Sequence, residues 1–375
     1  MADLFFYGTL CHPPLLAAVL GREVPVTPAR LAGHSVFWAA GQNFPLIVEG
    51  GAGAEGVLAE GLGPEDLARL DHYEGGFDYR TRDLAVDAGG RRVVARVYFP
   101  DAGRWQPGAP WRLEDWVVHW GAVAVEASAE VMRLMGTRSA RDIARRYRMI
   151  LMHAASRLRA RERGPARLRR RAVEGDVVVS AWRQPYARFF AVEEYDLGFR
   201  RFDGTMSETV NRAAFISSDA AVVLPYDPVR DRVLLIEQFR TGPFARGDGE
   251  PWLIEAIAGR VDPDETPEEA VRREAVEEAG LVLSDLIPAA HYYPTPGAKA
   301  EYLYTFIGLA DLPDGAAGLG GVEGEAEDIR AHLVGFPDLM DLIASGEVNN
   351  APLLILGMTL ARERAAIRAR HGRGA

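Results

Sequence analysis

Three glutamates are the residues of this chain best placed to do chemistry: Glu274, Glu277 and Glu278, at i, i+3 and i+4. Side chains three and four positions apart are neighbours on a helix, so the three carboxylates would stand together on one face. Like charges at that spacing weaken a helix unless a cation lies between them. An all-oxygen cluster suits a hard divalent ion such as magnesium, which keeps several waters and also binds substrate phosphates. Manganese takes similar ligands and is the alternative.

The helix that must carry these acids is legible at both ends. Thr266 is a good N-cap, Pro267 suits the first turn, and Glu269 stands where a capping box places its carboxylate. Gly280 stops the helix, so the pattern predicts a span from Pro267 to Ala279. Val271, Ala275 and Ala279 form an adjoining apolar stripe that can pack on a sheet and hold the acids on a rigid support. The alternative is a solvated acidic face, which would need no fixed surroundings. Here the chain reads Gly259, five residues, Glu265, seven residues, then Arg273 to Leu281 as REAVEEAGL. Seven specified residues, at a background of about 5–7% each, coincide in roughly one chain in a million. That spacing favours a site over a solvated face.

The stretch resembles the Nudix box, the signature of hydrolases that cut nucleoside diphosphates linked to another group. Only Ala275 stands where that pattern more often has a larger apolar residue. The resemblance implies that Glu274, Glu277 and Glu278 hold the metal, with the Ala258 carbonyl as a further ligand. It also implies that Arg273 orients one of the carboxylates. The flanks resemble ADP-ribose pyrophosphatases over about residues 180 to 365. Upstream, Leu235 to Arg240 and Trp252 to Glu255 match that group. Downstream, Pro296 lies sixteen positions beyond Gly280, and Glu301 follows. Glu325, in the acidic run Glu325 to Arg330, is the expected residue for activating water, with Glu278 as its competitor. Arg240, Arg212, Glu301 and Pro296 are expected to contact substrate, a planar guanidinium being suited to phosphate or ribose oxygens. The implied reaction is magnesium-dependent hydrolysis of ADP-ribose to AMP and ribose 5-phosphate. GDP-mannose and NADH are the alternative substrates.

A second group of residues lies near the start of the chain. Tyr7-Gly8-Thr9-Leu10 ends an apolar strand in a glycine turn, and Leu70-Asp71-His72-Tyr73-Glu74-Gly75 precedes Tyr79-Arg80. With Pro45 and Gly56 to Glu60, these segments resemble the γ-glutamylcyclotransferase-like fold over about residues 2 to 120, a mixed β-barrel with helices. In active members the residue at Glu74 is a general acid/base on a γ-glutamyl amine, and the YGTL turn holds the substrate. A carboxylate in a partly apolar pocket can be tuned for that work. A γ-glutamyl cyclotransferase with an accessory Nudix domain is therefore the competing whole-chain reading, and a binding protein without turnover is a third.

Length and composition set the frame for both groups. At 375 residues the chain should hold two domains. The expected fold class is mixed α/β and α+β: the N-terminal barrel over 1–135, a basic helical linker over 136–175, and a Nudix αβα sandwich over 176–375. From Leu113 to Met135, Trp116, Val117, Trp120 and Ala124 recur at helical spacing, which predicts a helix packing a tryptophan stripe inward. The arginine-rich stretch after it lacks interleaved aromatics, and the net charge is −10, so a nucleic-acid partner is not expected. No apolar run reaches the length of a membrane helix. A single cysteine, Cys11, rules out an intrachain disulfide and fits a reducing, cytoplasmic setting. The two-domain arrangement also resembles bacterial proteins associated with tellurite resistance. The resemblance further implies a homodimer in which strands before the box contribute to the partner's site.

Overall fold

The structure, a computed structural model, describes residues 1–77, 79–101, 103–321 and 328–372. It divides into two compact units, Met1–Pro165 and Ala166–Ala375.

The first unit is built on a closed five-stranded barrel. Its strands run in the order Ala2–Phe6, Ala54–Leu62, Val26–Leu31, Tyr79–Ala88, Arg91–Pro100, and the last pairs in parallel with the first. Alternate residues point inward, so Phe5, Leu58, Val86 and Val97 meet in one core. The expected tryptophan helix forms, but with a change of pitch: an α turn over Leu113–Trp116, a π turn over Val117–Gly121, then an α-helix over Ala122–Arg133. A π turn inserts one extra residue into the ladder and rotates the helix beyond it. Trp116 is buried beside this turn, its indole N–H donating to the Asn43 carbonyl at 3.0 Å.

Composition placed the next stretch in a connecting linker, yet two helices from it, Ala140–Arg145 and Tyr147–Ala160, fold with the first unit. Ile150, Leu151, Ala154 and Ala155 bury an apolar stripe, while Arg157 pairs with Glu126 and Glu130 across the interface with Ala122–Arg133. Cys11 is half-buried, its thiol donating to the Phe6 carbonyl and pushed up to about 12 by burial.

The second unit contains a mixed sheet sandwiched between helices. Strand Ala220–Asp227 lies parallel to Leu303–Leu309 and antiparallel to Ile257–Arg260, and Arg232–Phe239 is flanked by Trp252–Glu255 and Ile329–Gly335. Ala221, Val223, Leu234 and Ile236 face the helix Pro267–Ala279 through Ala270, Val271 and Ala275. Their neighbours Val222, Leu224, Val233 and Leu235 face the helices Phe336–Ser345 and Ala351–His371. A separate four-stranded sheet takes Val177–Ala187, Ala191–Phe199, Val210–Ile216 and Lys299–Ala300. No helix among the described residues is long and apolar enough to cross a membrane.

The helix that carries the glutamates spans Pro267–Ala279, as its caps predict. Thr266 Oγ1 accepts from the Glu269 N–H at 3.2 Å, the Glu269 carboxylate accepts from the Thr266 N–H at 2.8 Å, and Gly280 ends the helix in the left-handed region at φ 63°. Replacing Thr266 by Ala removes the cap hydroxyl and should cost about 1 kcal/mol. Chemical denaturation of the full chain, followed on the second unit's transition, would reveal that loss.

Candidate active site

The acidic helix begins seven residues after the strand Ile257–Arg260, and the junction is held by one guanidinium. Arg273 donates to both Glu265 oxygens at 2.8 and 2.9 Å, to Glu274 at 2.6 Å, to Glu277 at 3.0 Å and to the Arg260 carbonyl at 3.1 Å. Its proton is held well above the ordinary range, first by the hydrogen bonds to Glu265. A Cβ at position 259 would fall on the Glu274 carboxylate, which would have to move aside. The Glu274 side chain is thus wedged between the strand backbone and Arg273.

The three glutamates have different surroundings. Glu278 is buried at 4% exposure, Glu274 half-buried, and Glu277 exposed. Among the described residues, no three His, Cys, Asp or Glu side chains converge closely enough to hold a metal ion. In this arrangement the Arg273 guanidinium lies between Glu274 and Glu277. The donor set itself is all oxygen, which fits a hard divalent cation. Ala258, half-buried, pairs with Val222 in the sheet one residue before Gly259.

The other expected residues are dispersed. Arg240 stands just before the short helix Thr241–Arg246 and binds Glu255 at 2.6 Å. Burial raises the Glu255 carboxyl while Arg240 opposes the rise. Glu301 accepts from Ser217 Oγ at 2.9 Å and pairs with Lys299 at 2.8 Å. Arg212, exposed on Val210–Ile216, donates to the adjacent Asn211 carbonyl, and Pro296 sits in an exposed loop. Glu325 lies outside the described residues. Sequence reasoning missed Arg260. Its guanidinium lies 4.5 Å from the centre of the Phe189 ring and 5.1 Å from that of Phe190, donates to the Ser217 carbonyl at 2.7 Å, and is lowered in pKa by burial. A basic residue directly after the box glycine was the available signal.

Residues 217–354 match the NUDIX domain and residues 4–118 match gamma-glutamyl cyclotransferase, AIG2-like. An ADP-ribose pyrophosphatase of Escherichia coli (strain K12) is 37% identical over 182 residues, covering 48% of this chain and 86% of that protein. An ADP-ribose pyrophosphatase of Haemophilus influenzae is 31% identical, covering 49% of this chain and 84% of that protein. A GDP-mannose pyrophosphatase of Enterobacter sp. (strain 638) is 32% identical over 39% of this chain and 74% of that protein.

The chain belongs to the Nudix family. Its Nudix domain follows an N-terminal gamma-glutamyl cyclotransferase, AIG2-like domain, which has a cavity of its own. Tyr7, Gly8, Thr9 and Leu10 line that cavity together with Glu74, so the two early motifs do converge. Gly8 is needed because a Cβ there would come within 2.6 Å of the Pro45 ring. Burial pushes the Glu74 carboxyl up from 4.5 to about 7. Tyr73, Tyr79, Tyr98, Tyr147 and Trp120 complete much of the aromatic lining, and Tyr98 and Tyr147 lie outside the motifs legible in the sequence.

Substitutions at Gly259 and Glu74 test this geometry. Gly259→Ala should displace the flexible end of Glu274 without unfolding the Nudix domain, lowering metal-stimulated hydrolysis roughly tenfold or more; unchanged turnover across a magnesium titration would contradict the wedge. For Glu74, a raised carboxyl favours folding while protonated, a contribution complete below pH 4.5 and lost as pH rises through about 7. Glu74→Gln should remove that decline, so the variant should melt higher than wild type above pH 7 and lose this advantage at acid pH.

Proposed function

We propose that the Nudix domain hydrolyses the diphosphate of ADP-ribose, releasing AMP and ribose 5-phosphate, with magnesium or manganese bound at the acidic helix. The observation that carries this reading is the Arg273 hub, which fixes Glu274 and Glu277 on a capped helix against Gly259. The likeness to ADP-ribose pyrophosphatases at up to 37% identity favours that substrate over GDP-mannose.

When bound, the divalent ion neutralises the diphosphate and lowers the pKa of a water molecule. Glu274, Glu277, Glu278 and the Ala258 carbonyl supply its oxygens. Releasing Glu277 still leaves the Arg273 guanidinium on Glu265 and the Arg260 carbonyl, so Arg273 keeps its orientation. Arg240 offers the guanidinium nitrogens not engaged by Glu255 to a phosphate or ribose oxygen. Pro296, Glu301 and Arg212 are assigned to substrate contact on the same family pattern. Glu325 or Glu278 accepts the proton of the attacking water. The phosphorus–oxygen bond to one phosphate breaks, and that phosphate leaves as a monoester. We also assign a homodimer, which the exposure of Val177, Val178, Val179 and Phe202 around the four-stranded sheet supports.

Glu278→Gln should cut ADP-ribose turnover roughly a hundredfold or more with the fold intact. A panel of ADP-ribose, NADH, GDP-mannose and ADP-glucose with magnesium, scored by AMP or GMP release, tests the substrate. Near-normal hydrolysis by the variant, or preference for a guanosine substrate, would reject this reading.

A second reading concerns the N-terminal domain, and the Glu74 cavity favours it. In a γ-glutamyl amide the α-amine attacks the γ-carbonyl carbon, closing 5-oxoproline and expelling the amine. Glu74, with its carboxyl near neutrality, is tuned to take the proton from the attacking nitrogen and return it to the leaving one. Release of 5-oxoproline by wild type and its loss in Glu74→Gln is the expected result.

A further inference from the structure

The chain crosses from the four-stranded sheet to the central sheet at Ser217, Ser218 and Asp219, and all three are buried. Polar groups so placed must find their partners within the protein. Ser217 Oγ donates to a Glu301 oxygen at 2.9 Å, and Ser218 Oγ donates to the Ser217 carbonyl at 2.6 Å. Arg260, which follows Gly259 and pairs with Ala220 in the sheet, secures the crossing from the other side. Its guanidinium donates to the Ser217 carbonyl at 2.7 Å and lies 4.5 Å from the centre of the Phe189 ring.

Arg260 is attached at two points that serve different parts of the site. Its backbone carbonyl accepts from Arg273 at 3.1 Å, in the contact set that holds Glu274 and Glu277. Its side chain reaches Ser217 and, through Ser217, the Glu301 carboxylate, which Lys299 also meets at 2.8 Å. Lys299 lies 5.9 Å from the Phe215 ring centre, Phe215 packs 4.7 Å from Phe190, and Phe190 lies 5.1 Å from the Arg260 guanidinium, so the contacts close into a ring. A planar guanidinium can stack on ring faces while its in-plane N–H groups donate, which an ammonium cannot do. Replacing the side chain leaves the carbonyl on Arg273, so the two attachments are separable. A carboxylate whose rotamer is held before substrate arrives spares the cost of ordering it on binding.

We propose that Arg260 is a positioning residue of the Nudix site, whose side chain holds the Ser217 crossing so that Glu301 is preset to accept from a substrate hydroxyl or amino group. The inference rests on the reading that Glu301 meets an ADP-ribose-like substrate. It makes the residue after the box glycine a determinant of affinity, with turnover left to the acidic helix.

The test is calorimetric binding of α,β-methylene ADP-ribose, which resists hydrolysis, to the full chain with magnesium, with ADP-ribose turnover measured in parallel. Ser217→Ala removes the donor to Glu301, and Arg260→Met removes the guanidinium while keeping an unbranched chain against the rings. Each should weaken binding roughly fivefold, with kcat within about threefold of wild type. The double variant should bind within about twofold of the weaker single one, because both changes release the same carboxylate. Arg260→Lys, which keeps the charge without the planar fork, serves if Arg260→Met fails to fold; it should weaken binding and likewise add little to Ser217→Ala. Wild-type affinity in a folded Arg260 variant, or losses that multiply in the double variant, would overturn the positioning role and leave the ADP-ribose reading standing. Neither binding nor turnover by wild type would overturn both. The expected pattern of binding without turnover would support the positioning role and remove only the hydrolysis.

Discussion

The Nudix domain depends on the Arg273 guanidinium, which ties a strand end, a loop and a helix into one piece. Its partners come from Arg260 at the end of a strand, Glu265 in the loop, and Glu274 and Glu277 on the helix. An arginine can do this and a lysine cannot, because five N–H donors in a plane reach separate acceptors without turning. Without it, Glu274 and Glu277 would repel across adjoining turns. Gly259 completes the constraint from the other side by letting the Glu274 carboxylate lie against bare backbone. The spacing of glycine, glutamate and arginine in the sequence is thus the imprint of one three-dimensional contact set.

Arg260 extends the same logic to the four-stranded sheet. Its guanidinium stacks on Phe189 and Phe190 and reaches the Ser217 carbonyl, while Ser218 adopts φ 65°, a backbone conformation that few non-glycine residues occupy. Ser217 in turn donates to Glu301, so the strand end before the acidic helix and the loop that bears Glu301 are joined through two hydrogen bonds. This placement costs Arg260 part of its hydration, and its lowered pKa records the loss.

Features decided locally could be read from the sequence. The helix Pro267–Ala279 was legible to both ends because caps, proline and glycine act within a few residues. The turn at Asp227 to Asp231 joins an antiparallel pair, but a short one: only Tyr226–Val233 and Asp227–Arg232 pair, because Ala220 to Val223 pair with Ile257–Arg260 instead. Sheet order rests on partners far apart in sequence, as with Ala220–Asp227 beside Leu303–Leu309, and periodicity does not encode it. Arg240 was expected at a substrate site from the sequence, while its engagement by Glu255 depends on the register of Arg232–Phe239 against Trp252–Glu255. Tyr147 was hidden for a different reason. An amphipathic stripe reports which face is buried and not which cavity that face closes.

The two candidate sites solve opposite electrostatic problems. Along the acidic helix, Glu274 and Glu277 are kept close by an arginine, which leaves them suited to exchange that cation for another. In the barrel domain, Glu74 is surrounded by phenols and rings with no cation in the described lining, and burial holds its carboxyl near 7. Acids neutralised by a charge are placed to hold ions; an acid neutralised by its own proton is placed to move one. A metal would find little purchase beside Glu74, where a single carboxylate faces aromatic surface. A proton relay would be equally misplaced beside Arg273, where the carboxylates accept from a guanidinium that does not give up its charge.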